Sequence, residues 1–110
     1  MSSLPALETL EHHYMKMAQA AERADWDTLS RIESEAAALR ADLEAAALPI
    51  AADEAEQASA CILRILELDR SIRARTRPVL DEASQALHDA RDELVRHTRS
   101  SAVHRAYGTR

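Results

Sequence analysis

A stripe of mostly apolar residues at alternating three- and four-residue spacing runs from Ile62 to Leu94. It reads Ile62, Ile65, Asp69, Ile72, Thr76, Val79, Ala83, Leu87, Ala90, Leu94. Near-heptad spacing keeps one seam of a helix facing a neighbour over many turns. A helix over 53–97 would be roughly 65 Å long at 1.5 Å per residue. That is longer than a compact domain of 110 residues requires. Such a helix must lie against other helices, and part of its surface is left for a partner.

Composition agrees with an all-α chain, read as a single helical domain over 1–110. Glycine occurs once, at Gly108, and proline three times, at Pro5, Pro49 and Pro78. Ala, Leu, Glu and Arg dominate, and these are strong helix formers. No segment alternates at period two with β-branched enrichment, so strands are not expected. Phe is absent and Tyr14, Trp26 and Tyr107 are the only aromatics, so the core must be aliphatic and rich in alanine. A core of that kind allows close helix approach but buries little area per residue.

The spacing predicts helices over about 5–23, 26–46, 53–97 and 101–107. Ser3 is a candidate N-cap for the first and Pro5 suits its first turn. Its stripe is Leu7, Leu10, Tyr14, Met17, Ala21. Asp25 can cap the second, whose stripe is Leu29, Ile32, Ala36, Leu39, Leu43. The Ala24-Asp25 corner is so short that these two helices must form an antiparallel hairpin. Pro49 ends the second helix, and Asp53 is positioned to cap the third. Pro78 falls inside the long stripe, which keeps its phase across it, so a kink is expected rather than a break. The pattern lapses near Thr98-Arg99-Ser100. A short fourth helix is therefore expected from Ser101 to Tyr107, docked on the third and stopped by Gly108.

Charge is uneven. Residues 1–60 carry four basic and twelve acidic side chains, and residues 61–110 carry ten arginines and seven acids. Acidic helices packed beside a more basic one account for this. Nucleic-acid binding is not expected, because Arg70, Arg73 and Arg77 are interleaved with acids and lack an aromatic platform. Cys61 is alone, which suits a reducing compartment. The N-terminal residues lack the pattern of a secretion signal and no apolar run approaches membrane-spanning length, so a cytoplasmic protein is expected.

Catalytic and metal-binding patterns are missing. His12 and His13 are adjacent and point to different helix faces. Glu8–His12, His88–Asp92 and Glu93–His97 are i,i+4 pairs that stabilise exposed helices. The residues three before each histidine are Thr9, Leu10, Gln85, Leu94 and Ser101, so no Glu-x-x-His di-metal motif exists. There is no Gly-rich phosphate loop and no zinc motif. An enzyme, a metal and a cofactor are all unexpected. On these grounds the chain is a small helical interaction module.

Three local patterns, in order along the chain, resemble the FliT family of bacterial flagellar export chaperones. The first is Ala24-Asp25-Trp26-Asp27-Thr28-Leu29 between two patterned helices, where the family often has Gly-Asp/Glu-Trp-Asp. The second is Ile65-Leu66-Glu67-Leu68-Asp69-Arg70-Ser71-Ile72-Arg73, followed by Leu80-Asp81-Glu82. The third is Thr98-Arg99 followed by Ala106-Tyr107-Gly108. The resemblance implies a cytoplasmic chaperone for the filament-cap protein FliD, with contacts to the export ATPase. In some members it also implies binding to the master transcriptional activator of flagellar genes. It implies too that a C-terminal helix folds back over the partner surface, with Tyr107 as its aromatic anchor.

An amphipathic cargo helix needs apolar anchors at i, i+3, i+4 and i+7 spacing. The second apolar set on the third helix is Leu66, Leu68, Ile72 and Leu80. With Arg73 from the matched segment, and Val103 and Tyr107 at the C-terminal end, these are the expected partner-binding residues. The alternative is a homodimeric coiled-coil structural or adaptor protein with no export client.

Overall fold

A computed structural model describes residues 2–47 and 49–107, with the side chains of Val103, His104, Ala106 and Tyr107 outside the described residues. Helix α1 spans Leu4–Glu22 and α2 spans Trp26–Ala46. A single 3₁₀ turn, Ala52–Glu54, leads into α3, Ala55–Tyr107. The chain divides into two compact units, residues 1–76 and residues 77–110.

The corner between α1 and α2 is built from local hydrogen bonds. Asp25 N donates to Ala20 O at 2.9 Å and Ala24 N to Ala21 O at 3.1 Å. That pairing is a Schellman motif, which requires a left-handed residue after the helix, and Ala24 supplies it at φ 55°. Asp25 then turns from ending α1 to starting α2, because its carboxylate accepts from Thr28 N at 3.3 Å. The Thr28 side chain first, and then this backbone N–H, hold the Asp25 carboxyl below its ordinary pKa by hydrogen bonding. Trp26, the first residue of α2, is half-buried. Ala47 closes α2 in the same left-handed conformation, with φ 45°.

Residues 1–76 hold the core. Leu10, Tyr14 and Met17 of α1 meet Ile32 and Ala36 of α2, and Cys61, Ile65 and Ile72 of α3. Leu7, Leu29, Leu39, Leu43 and Leu68 pack around them, half-buried. Ala20, Ala21, Ala36 and Ala58 are all buried, so the helices approach closely where side chains are smallest. A polar chain ties α1 to α2 at the edge of this core. Arg40 donates to Tyr14 Oη at 2.6 Å and to Glu33 at 2.9 Å, with its guanidinium 5.9 Å from the Tyr14 ring centroid. Burial raises the Tyr14 hydroxyl above its ordinary pKa, opposed by the neighbouring Arg40 charge.

The N-terminal cap differs from expectation. Ser3 holds the cap position but its side chain makes no capping bond. Ser2 does that work: its hydroxyl accepts from Leu4 N at 3.2 Å and donates to Glu54, which ties the start of α1 to the start of α3.

The fourth helix expected at 101–107 does not exist as a separate element. Those residues are the last turns of α3, which runs unbroken for 53 residues. The lapse in the apolar pattern at Thr98-Arg99-Ser100 is a lapse in burial, not in backbone geometry. No glycine or proline stands there to end the helix. The Thr98 hydroxyl donates to Leu94 O at 2.8 Å, satisfying itself inside the helix instead of capping a new one. Pro78 lies within α3 without interrupting it. It has no N–H to offer the Ala74 carbonyl, so one helical bond is missing there.

Candidate partner-binding surface

Within residues 1–76 the cleft between α1 and α3 is open and shaped by one ion pair. Arg64 Nε approaches Glu11 Oε1 at 2.9 Å. Two hollows share these residues as a common wall. One, of about 380 Å³, is also lined by Leu4, Glu8, Gln57, Ala60 and Cys61. The other, of about 330 Å³, is lined further by Met15, Glu67 and Leu68.

Chemistry in the first hollow is quiet. The Cys61 side chain is only 1% exposed, and its thiol donates to Leu7 O at 3.3 Å. Burial first, then the adjacent Glu11, pushes its pKa up to about 11. A thiol held in that state is a poor nucleophile. Among the described residues no group of three or more His, Cys, Asp or Glu side chains could hold a metal ion. No helix of the described residues is long and apolar enough to cross a membrane.

The second hollow suits an apolar anchor. Met15 is 45% exposed at its side and Leu68 is half-buried within it. Over the same turns α3 exposes Ile62, Leu63 and Leu66. Burying such a side chain fully contributes roughly 1.5–3 kcal/mol to whatever covers it. The charged rim of Glu11, Arg64 and Glu67 keeps the free cleft wetted and can set the orientation of a partner.

The residues singled out from the sequence separate into different environments. Leu66 and Leu80 are exposed, Leu68 is half-buried, and Ile72 is in the core at 7% exposure. Ile72 therefore has little surface to offer a partner. Arg73 is exposed and paired to Asp69 Oδ2 at 2.9 Å, one turn back. The Val103 and Tyr107 side chains lie outside the described residues. Met15 and Leu63 were not singled out beforehand. Their signal was a large apolar residue lying off the seam of its own helix, Met15 next to Tyr14 and Leu63 next to Ile62.

In residues 77–110 the described side chains from Arg77 to Ser100 are all exposed. Val79, Leu80, Leu87, Leu94 and Val95 are the large apolar ones. Gln85 donates to Asp89 at 2.9 Å and His88 approaches Asp92 at 3.4 Å, both one turn apart along the helix.

Compared with known proteins, the chain matches the family model described as Flagellar protein FliT over residues 4–109. No curated protein and no solved structure matches it.

Proposed function

The chain belongs to the FliT family of flagellar export chaperones, and from that premise we propose that its client is the filament-cap protein FliD. Family members are non-catalytic and act in the cytoplasm, so the task is to hold a partner rather than transform one. The reading rests on the α1–α3 cleft, where exposed Met15 and half-buried Leu68 border an open hollow beside exposed Leu66. An amphipathic segment of the cap protein seats its apolar face there, and Arg73, Arg64 and Glu67 contact its polar flanks. The self-associating surface of the client is thereby covered until export. The export ATPase and the master transcriptional activator of flagellar genes are further partners under the same reading.

Calorimetry with purified cap protein tests this. The expected result is a one-to-one complex that Met15→Glu and Leu66→Glu each weaken at least about tenfold, since each buries a charge against apolar surface. Both positions are exposed, so neither change should disturb the fold. Full affinity in both variants would remove the cleft from the binding site. A chain that binds only itself would favour the structural dimer without a client.

A further inference from the structure

On the reading that the α1–α3 cleft is the client site, we propose that its first hollow, beside Glu8 and Glu11, receives a Lys or Arg of the client. That cation stands on the same helical face as the client's apolar anchor, seven residues away from it. The two hollows differ in what walls them. Met15 and Leu68 border the second, of about 330 Å³. Glu8, Glu11 and Gln57 border the first, of about 380 Å³, together with Leu4 and Ala60. A Lys or Arg side chain can lay its methylene stem against Leu4 and Ala60 and bring its charged head to the carboxylates.

Charge in the first hollow is uncompensated. Arg64 pairs with Glu11 at 2.9 Å. The Glu8 carboxylate has no ion-pair or hydrogen-bond partner among the described residues. The hollow thus sets two carboxylates against one guanidinium. The Cys61 thiol in its wall registers this: after burial, Glu11 and then Glu8 raise its pKa, and Arg64 opposes them. A metal ion does not answer the charge, since among the described residues no three His, Cys, Asp or Glu side chains could hold one. An acidic or apolar client side chain would cover Glu8 without giving it a partner. A cation on the client gives it one.

Spacing fixes where on the client that cation stands. Ser2 meets Glu54, Leu7 meets Cys61 and Glu11 meets Arg64, so α1 and α3 run parallel along the cleft. Glu8 and Met15 are seven residues apart on α1, and Cys61 and Leu68 are seven apart on α3. At 1.5 Å per residue each step is about 10 Å. A client helix lying along the cleft spans that distance with residues i and i+7, which share one face after two turns. The client residue midway lies over the Glu11–Arg64 pair, the wall common to both hollows.

Calorimetry of the full chain with purified cap protein, at low and high salt, tests the subsite. Glu8→Lys is expected to weaken binding about tenfold, because repulsion replaces attraction. Glu22→Lys makes the same change of charge at the other end of α1 and should leave affinity within about twofold. High salt should narrow the gap between the two variants. Both positions are exposed, and circular dichroism checks that both variants stay helical. In a set of cap-protein variants with each Lys or Arg changed singly to Glu, one should bind Glu8→Lys more tightly than the unaltered cap protein does. That residue should stand seven positions from an apolar one. Equal affinities for Glu8→Lys and Glu22→Lys overturn the cation subsite, and so does the lack of any rescuing client variant. Either result, with Met15→Glu still weakening binding, strikes the subsite and leaves the cleft as the client site. A wild-type chain that forms no complex with the cap protein overturns both.

Discussion

Cys61, Ile65 and Ile72 of α3 are 1%, 9% and 7% exposed, whereas Leu80, Leu87 and Leu94 of the same helix are 65%, 54% and 65% exposed. Both stretches repeat apolar residues at helical spacing and both are helical throughout. The difference lies in what covers them. Helices α1 and α2 have 19 and 21 residues, and a hairpin of that length can line only about as many residues of a helix of 53. The first stretch is therefore core. The second holds its helix by local means: strong helix formers, the Gln85–Asp89 and His88–Asp92 contacts, and the Thr98 hydroxyl on Leu94 O. Each such contact contributes only a few tenths of a kcal/mol. A periodic apolar stripe thus states that a surface needs cover, without stating which chain provides it.

The sharpest way to break this comparison is to make the same kind of truncation in both stretches. Ile72→Ala is expected to lower unfolding free energy by about 3 to 4 kcal/mol, the cost of a cavity in a packed core. Leu87→Ala in dilute solution should change it by less than about 0.5 kcal/mol. Urea denaturation followed by Trp26 fluorescence measures both, and equal losses would mean that the distal stretch is covered in the free monomer. Next in size is Pro78→Ala, which restores a helical N–H and removes the steric clash with the preceding turn. It should stabilise the distal helix locally by about 2 to 3 kcal/mol. The gain should appear as slower hydrogen exchange between residues 74 and 90, with the core transition unmoved. A rise in core stability of the same size would show that the two stretches unfold as one unit. The smallest effect is expected at the corner. Ala24 is a left-handed alanine, so Ala24→Gly should raise unfolding free energy by about 0.5 to 1 kcal/mol. No gain there would mean that the unfolded-state entropy of glycine offsets the relief.

The hairpin was legible because its signals are local. Asp25 lies three residues before Thr28, at capping distance, and the apolar stripes of 5–23 and 26–46 leave no room for a longer connection. The left-handed geometry of Ala24 was hidden, since alanine does not advertise it. The end of α3 is not legible in the sequence, because an apolar pattern reports burial and not backbone conformation. The apolar seam stops near Leu94, yet Thr98, Arg99 and Ser100 can all remain helical when nothing breaks the chain. At the candidate site, helical spacing grouped Leu66, Leu68 and Ile72 as one set. Spacing cannot tell that Ile72 turns into the core while Leu66 turns out, because they lie on different sides of α3 and the position of α1 decides which side is covered. Met15 is illegible for the same reason: its exposure depends on a cleft formed with Arg64, Glu67 and Leu68, distant in sequence on another helix.

The buried Cys61 also gives the chain a native reporter of motion. With the thiol hydrogen-bonded to Leu7 O of α1 and its ionisation suppressed, a thiol-specific reagent can react only when α1 moves off α3. The modification rate then equals the open fraction multiplied by the intrinsic rate of a free cysteine. It reads the local opening free energy of the cleft without a label or a substitution. A client seated between Met15 and Leu68 would close that opening and slow the reaction in proportion to its occupancy. Client loading and release become measurable on the unmodified chaperone from the reactivity of a single sulfur atom.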